Sequence, residues 1–197
     1  MKRLTEILKI ERIKAMLEMK SELMDEAGMK RTLARMTHEI VERNKGSENI
    51  TLAGIRRRGV PLAELLAANI KKFEGVDVPV GYIDITLYRD DLTETVQLPT
   101  ASESYFPQGV TGKNIILVDD VIYTGRTARA AIEAVFKYGR PAAIQLAVLI
   151  DRGHRELPIR PDFVGKNIPT SKDELVSVMV GEIDGSNAVR IMKKLPD

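Results

Sequence analysis

The chain has 197 residues, of which 44% are hydrophobic and 29% charged, the composition of an ordinary soluble globular protein. It contains no cysteine, which excludes disulfides and thiolate metal sites, and no apolar run near the ~20 residues needed to cross a bilayer. The net charge of +2 excludes a generally basic nucleic-acid binder, so a nucleic-acid site would need its positive charge on one face. We therefore expect a cytoplasmic protein with no membrane association.

The first residues, up to about residue 24, are predicted to form an amphipathic helical extension that lies outside a main domain spanning 25–197. The prediction rests on apolar residues near helical spacing: Leu4, Ile7, Leu8, Ile13, Met16 and Leu17. We interpret this segment as a packing or coiled-coil arm. The sequence leaves open a second interpretation, in which translation starts downstream, at Met16 or Met19.

Helices and strands alternate along the rest of the chain. Asp25 is a candidate N-cap for a helix that runs to about Asn44 and is followed by Gly46. Strands are predicted at 50–55, 80–88, 115–120 and 142–150 and, in the tail, near Val164 and over 175–180, with helices at 60–73 and 126–138. This alternation predicts an α/β fold with a mostly parallel central sheet flanked by helices.

Two segments between these elements are predicted to be irregular. Residues 89–112 contain prolines, glycines and many hydroxyl side chains, so we expect a long loop or flap of functional importance. Residues 151–162, DRGHRELPIRPD, form the second loop.

The segment IILVDDVIYTGRT, residues 115–127, has the strongest chemical signature in the chain. Asp119 and Asp120 end a buried strand, at the edge where open α/β sheets bind ligands. Adjacent carboxylates repel each other unless a partner such as hydrated Mg²⁺ or a sugar diol lies between them. Thr124, Gly125 and Thr127 then offer backbone N–H groups and hydroxyls at a helix N-terminus, which favours an anion. The segment therefore suits a ribose 5-phosphate.

The same segment resembles the phosphoribosyl-pyrophosphate (PRPP) motif of type I phosphoribosyltransferases. More narrowly, the chain is similar over about residues 25–195 to the bacterial pyrimidine-operon attenuation regulators, which are also uracil phosphoribosyltransferases. The matching strings are HEIVERNKG (38–46), GYIDITLYRDDL (81–92), the PRPP motif and IQLAVLIDRGHRELPIRPDFVGKNIPTS (144–171). The resemblance implies a type I phosphoribosyltransferase fold with a flap loop and a small hood, assembled as a homodimer or tetramer. It implies the reaction uracil + PRPP = UMP + diphosphate, with Mg²⁺ as the cofactor.

The resemblance also implies roles for individual residues. Asp119 and Asp120 would hold the ribose hydroxyls and the Mg²⁺ shell, and Arg89 would fold over the pyrophosphate from the base of the flap. PRPP and nucleotide contacts are expected from Arg57, Arg58, Gly59, Val121, Ile122, Tyr123, Thr124, Gly125, Arg126, Thr127 and Arg152. Purine transferases often have an acid at the position of Tyr123, so a tyrosine there argues against a purine substrate. The loop 151–162 would read the base, with a structural role for His154.

A second activity follows from the resemblance. From spacing alone, the face of the 30–45 helix that carries basic residues would be a solvated surface. In the attenuation regulators this region forms an RNA-binding surface with a later basic pair, and the matching positions are Arg35, His38, Arg43, Arg160 and Lys166. The partner would be a stem-loop of the operon's leader mRNA, with UMP or UTP as the effector. Ala34 replaces the family's usual threonine, which removes one hydroxyl contact.

Two alternatives remain open. Ala34 and the modest net charge favour a uracil phosphoribosyltransferase of salvage without an RNA-binding role. A catalytically idle PRPP or nucleotide sensor is disfavoured by the intact acid pair and Arg89.

Overall fold

The structure is a computed structural model that describes residues 17–85 and 103–194. In chain order its elements are β1 (Leu17–Met24), α1 (Glu26–Arg43), β2 (Ile50–Ile55), α2 (Gly59–Glu74), β3 (Val80–Ile83), β4 (Asn114–Ile122), α3 (Arg126–Phe136), β5 (Ala143–Asp151), β6 (Phe163–Asn167), β7 (Glu174–Met179), α4 (Gly181–Asp184) and β8 (Ala188–Lys194). They divide into a larger unit, Lys30–Pro169, and a smaller unit formed by the segments before and after it. Within the described ranges, every helix is too short or too polar to span a bilayer.

The larger unit is built on a parallel sheet. Its described strands follow the order β3-β2-β4-β5-β6, and each neighbouring pair is parallel. Every residue of β2 is buried, as are Ile115–Val118 in the centre of β4, because helices cover both faces of such a sheet. The predicted α/β class with a mostly parallel central sheet is confirmed.

Two glycines allow α2 to approach this sheet closely. A Cβ added to Gly54 would lie 2.4 Å from the Cα of Val60, and one added to Gly59 would lie 2.2 Å from the carbonyl oxygen of Val118. Since these neighbours are backbone atoms, no side-chain rotation could relieve the overlap. The first turn of α2 is therefore held directly against β2 and β4.

The predicted boundaries of α1 agree with its hydrogen bonds. The Asp25 carboxylate accepts the backbone N–H of Gly28 at 2.7 Å, as an N-cap does. At the other end, the N–H of Gly46 donates to the carbonyl of Val41 at 3.0 Å, with a φ of 122° that favours glycine.

The smaller unit corrects the predicted N-terminal helix. Residues 17–24 form β1, which pairs antiparallel with β8 in the described sheet order β1-β8-β7. The helical prediction was wrong here because pairing with a strand almost the whole chain length away outweighs local periodicity. Lys20, whose ammonium bonds the buried Glu174 carboxylate, adds a side-chain contact. The part of the prediction that falls on residues 1–16 lies outside the described residues.

The strand predicted at 80–88 is also shorter than expected. β3 ends at Ile83, and Asp84 and Ile85 continue as irregular chain. Tyr82 instead exchanges backbone hydrogen bonds of 2.9 Å with Tyr105, from the far side of the predicted flap. Residues 103–112 of that flap consist of turns and irregular backbone apart from the bridge at Tyr105. The rest of the flap, 89–102, and the end of the predicted strand, 86–88, lie outside the described residues.

The glycine contacts predict a destabilised variant. Gly54→Ala should lower the free energy of unfolding by about 1–3 kcal/mol, since its methyl group overlaps the backbone of α2. Gly181→Ala is the control because its added Cβ would meet its nearest neighbour at 3.4 Å, an ordinary contact. Urea denaturation of both variants measures the difference; equal midpoints would contradict the close packing of α2.

Candidate functional site

β4 extends beyond one of its two neighbours, and the candidate site lies on that extension. Its pairing with β2 ends at Val118, whereas its pairing with β5 continues to Ile122, which lies opposite Asp151. Asp119 and Asp120 directly follow Val118, the last residue of β4 that pairs with β2, and both are half-buried. The acid pair is therefore fixed by backbone pairing on one side and open to a ligand on the other.

Each carboxylate of the pair accepts a backbone N–H from the next residue. The N–H of Asp120 donates to Asp119 at 2.9 Å, and that of Val121 donates to Asp120 at 2.8 Å. Burial raises the pKa of Asp119 well above its usual value, and the adjacent charge of Asp120 raises it further. Burial also raises the pKa of Asp120, opposed by the Val121 N–H and by the positive charge of Arg58. The ionised pair is thus held at a cost that a cation or a hydrogen-bonding diol would reduce.

A polar turn and the N-terminus of α3 follow directly. Gly125 takes a φ of 94° at the N-cap position, and the Thr124 hydroxyl accepts the N–H of Arg126 at 3.3 Å. This turn borders a cavity of about 300 Å³ lined by Asp119, Val121, Ile122, Tyr123, Thr124, Gly125, Arg126, Thr127, Ala128, Leu146 and Val148. The structure therefore brings one acid of the pair and the whole predicted phosphate turn around one cavity. Asp120 is not among the lining residues, although it directly follows Asp119.

The loop after β5 is bonded to that turn. The Thr124 carbonyl accepts the N–H groups of Glu156 and Leu157 at 3.0 and 3.1 Å, and the Glu156 carboxylate pairs with Arg126 at 2.8 Å. The loop 151–162 therefore holds the turn in place, although the residues that line the cavity come from the turn and not from this loop.

Arg155 is the central residue of this loop, and the sequence analysis did not identify it. Its guanidinium bonds the Asp151 carboxylate at 2.5 Å and the carbonyls of Tyr123, Ile159 and Gly153 at 2.8, 2.9 and 3.2 Å. The four-residue spacing of Asp151 and Arg155 in the sequence could have predicted their ion pair. It could not have predicted the hydrogen bonds from Arg155 to three backbone carbonyls.

The partly exposed ring of Tyr123 contacts two other residues of this loop. The Arg152 guanidinium lies over its ring, 4.2 Å from the centroid, and His154 meets it edge-on at 5.7 Å. Arg152 is buried and is not among the residues that line the cavity, whereas Tyr123 is. Its predicted contact with a base stays a prediction.

The predicted arginine loop connects β2 to α2. Arg57 is exposed, its peptide bond with Arg56 is cis, and Arg58 is close enough to Asp120 to influence its pKa. Arg56, which the sequence analysis did not assign, lies 4.3 Å over the Tyr82 ring and 3.9 Å from the Asp84 carboxylate. The other predicted cation, Arg89, lies outside the described residues.

The predicted nucleic-acid residues fall on α1, in β6 and just before β6. Arg35 donates to the carbonyls of Val164 and Gly165 at 3.0 and 2.6 Å and pairs with Glu39, while Arg43 pairs with Asp162 at 2.8 Å. His38, Arg160 and Lys166 are exposed. These contacts bring Arg35 next to the strand that carries Lys166, and Arg43 two residues from Arg160.

The acid pair suits a metal that needs few protein ligands. Among the described residues, no group of three or more His, Asp or Glu side chains could hold an ion. Mg²⁺ prefers oxygen ligands and usually keeps several waters, with one or two carboxylates and substrate phosphates. Asp119 and Asp120 therefore fit a magnesium ion bound mainly through water and substrate.

Comparison with known proteins identifies the family. Residues 19–180 match the phosphoribosyl transferase domain. Proteins named bifunctional protein PyrR are similar along nearly their whole length: that of Clostridium novyi is 64% identical over 90% of this chain and 100% of its own, and that of Thermus aquaticus 59% identical over 89% and 97%.

Solved structures agree on the fold. A hypoxanthine-guanine phosphoribosyltransferase from Bacillus anthracis aligns with a TM-score of 0.67 at 23% identity, over 89% of this chain and 99% of that one. The hypoxanthine phosphoribosyltransferase of Trypanosoma cruzi aligns at 0.68 and 17% identity, over 89% and 98%. The predicted type I phosphoribosyltransferase fold is confirmed.

The raised pKa of Asp119 predicts that replacing this residue stabilises the protein, by an amount that depends on pH. A carboxyl whose pKa is raised by folding costs stability above that pKa and costs nothing below its unfolded value. Asp119→Asn should therefore raise the melting temperature at pH 7 and give a smaller gain near pH 4.

Thermal unfolding of the ligand-free protein across this pH range measures the effect. Asp173→Asn, at an exposed turn, serves as the control. A gain that stays constant with pH would show that Asp119 carries no such cost.

Proposed function

Because this chain belongs to the phosphoribosyl transferase domain family and, within it, to the PyrR bifunctional proteins, we propose that it makes UMP from uracil and PRPP and attenuates transcription by binding pyrimidine-operon leader RNA. The observation that carries the enzymatic half is the cavity that combines Asp119 with the turn 123–127. Such a cavity offers acceptors for a ribose diol beside donors for its 5-phosphate.

In the proposed reaction, the bond from C1 of the ribose to pyrophosphate breaks and a bond from C1 to N1 of uracil forms, with release of the N1 proton. The positive charge that develops on the ribose has to be stabilised while water is kept out. Asp119, which lines the cavity, and the adjacent Asp120 would hold the ribose hydroxyls, and the turn 123–127 would hold the 5-phosphate with N–H groups at the start of α3. Positioning of these two ends of the sugar is the protein's main contribution.

The departing pyrophosphate needs positive charge. Arg57, Arg58 and Gly59 supply the proposed pyrophosphate loop, and Arg89 closes over it from the flap. Asp119 and Asp120 would hold Mg²⁺, which supplies charge neutralisation at pyrophosphate and ribose oxygens when bound.

Base recognition is assigned to the wall formed by Tyr123 and the loop 151–162. Arg155 fixes the backbone of this wall, and Arg152 fixes the ring of Tyr123 from beneath. A pyrimidine read through backbone groups needs such a rigid loop, because a hydrogen bond discriminates between bases only if its donors and acceptors stay in place.

The RNA half rests on the basic residues of α1 and on those near β6. Arg35 and Arg43 are already oriented by bonds within the protein, whereas Arg160 and Lys166 are exposed for phosphate contacts. Unpaired bases and backbone of a leader stem-loop are the proposed ligands. UMP or UTP in the cavity favours the RNA-bound form through differential affinity, and the protein acts as a homodimer.

A salvage transferase without an RNA role is the second candidate. The observation in its favour is that Arg35 and Arg43 form ion pairs with Glu39 and Asp162, which partly neutralise their positive charge. The two candidates differ in whether the protein binds its own operon leader in a salt-dependent way.

Two substitutions should separate the two activities. Asp120→Asn should abolish most UMP synthesis, because it removes a charge from the acid pair, and should leave RNA affinity in the absence of nucleotide unchanged. Lys166→Gln should weaken leader-RNA binding and reduce its salt slope by about 1, the effect of one lost phosphate contact, without changing UMP synthesis.

Pyrophosphate release and fluorescence anisotropy of a labelled leader RNA are the two measurements. Lys172→Gln, at an exposed turn of the smaller unit, is the charge-matched control. Loss of both activities in either folded variant would contradict separate sites. Unspecific or absent RNA binding by the unsubstituted protein would leave the salvage function.

A further inference from the structure

The exposed end of α2 carries an aromatic residue that stacks on α1. The ring of Phe73 lies 4.5 Å from that of His38, with an angle of 16° between their planes. Phe73 keeps 37% of its surface exposed and His38 is exposed as well, so the pair is at the protein surface rather than in the core.

A cation flanks this pair. The Lys72 ammonium lies 5.7 Å from the centroid of the Phe73 ring, within the range of a cation–π contact. The preceding Lys71 instead forms an ion pair with Asp77 at 2.8 Å. The two adjacent lysines therefore have different partners, a carboxylate for Lys71 and an aromatic ring for Lys72. The surface formed by His38, Lys72 and Phe73, which we name the stacked corner, combines parallel rings with positive charge.

Stacked rings beside a cation are what a protein uses to bind single-stranded nucleic acid. Unpaired bases stack on aromatic side chains, and a neighbouring cation attracts the phosphate backbone. An acidic peptide would be attracted by the charge, but it has no use for two parallel ring planes. The stacked corner also shares His38 with the proposed RNA-binding face of α1.

We infer that the RNA surface extends from α1 onto the C-terminal turn of α2, where Phe73 is a positioning residue that fixes the plane of His38 for an unpaired base and Lys72 contacts a phosphate. The inference rests on the proposed RNA-binding function and adds two residues to it. Stacking restrains the imidazole before RNA arrives, so that less side-chain entropy is lost on binding.

The test compares leader-RNA affinity, by fluorescence anisotropy, for Phe73→Leu and Phe73→Tyr. Leucine keeps the apolar volume without a flat ring, and should weaken binding on the order of tenfold. Tyrosine restores the ring and should restore affinity. Phe136→Leu is the matched control, since Phe136 is an exposed phenylalanine on another helix of the same unit.

A double-mutant cycle distinguishes positioning from a general structural role. If Phe73 acts through His38, Phe73→Leu should have little further effect in a His38→Ala background. For the cation, Lys72→Gln should lower the salt slope of binding by about 1, whereas Lys71→Gln should not. UMP synthesis and melting temperature should be unchanged in all six single variants.

The outcomes separate this inference from the proposed function. RNA binding that falls with His38→Ala but not with Phe73→Leu or Lys72→Gln would overturn the extended surface alone. Fully additive effects in the cycle would overturn the positioning role. Absence of salt-dependent RNA binding by the unsubstituted protein would overturn both this inference and the RNA function on which it rests.

Discussion

The unequal reach of neighbouring strands determines where this protein can do chemistry. The pairing of β4 with β2 ends at Val118, but its pairing with β5 continues to Ile122. Residues Asp119 to Ile122 are therefore paired on one side only. A strand paired on one side holds its backbone in place and leaves room on the other for a ligand. The turn 123–127 directly follows this part of β4 and so lies at the same edge of the sheet. Hydrogen bonds from the N–H groups of Glu156 and Leu157 to Thr124 join the turn to the loop after β5.

The same arrangement carries an electrostatic cost. Two neighbouring carboxylates are partly withdrawn from water at the end of a buried strand, and the pKa of each rises as a result. Backbone N–H groups and Arg58 reduce that cost without removing it. The ionised acid pair lowers the stability of the ligand-free protein. Binding of a diol or a hydrated cation offsets this loss, so the site sacrifices some stability for function.

The sequence predicted those features that depend on residues close together in the chain. The acid pair, the Thr124–Gly125 turn, the Asp25 cap and the buried 50–55 strand were all identified because spacing and local chemistry define them. β1 was missed because its partner is β8, far away in sequence. Arg155 and Phe73 were missed for the same reason: an arginine that gathers carbonyls, or a ring that stacks on a distant histidine, has no local signature.

The pairing of β1 with β8 has a consequence for the course of the chain. Leu17 lies opposite Lys194, so the first and last described residues are neighbours in one sheet. A short peptide could therefore join residue 194 to residue 17 and close the backbone into a ring. New ends could then be opened in a surface turn elsewhere, such as the one before β7, giving a circularly permuted protein with the same strand pairing.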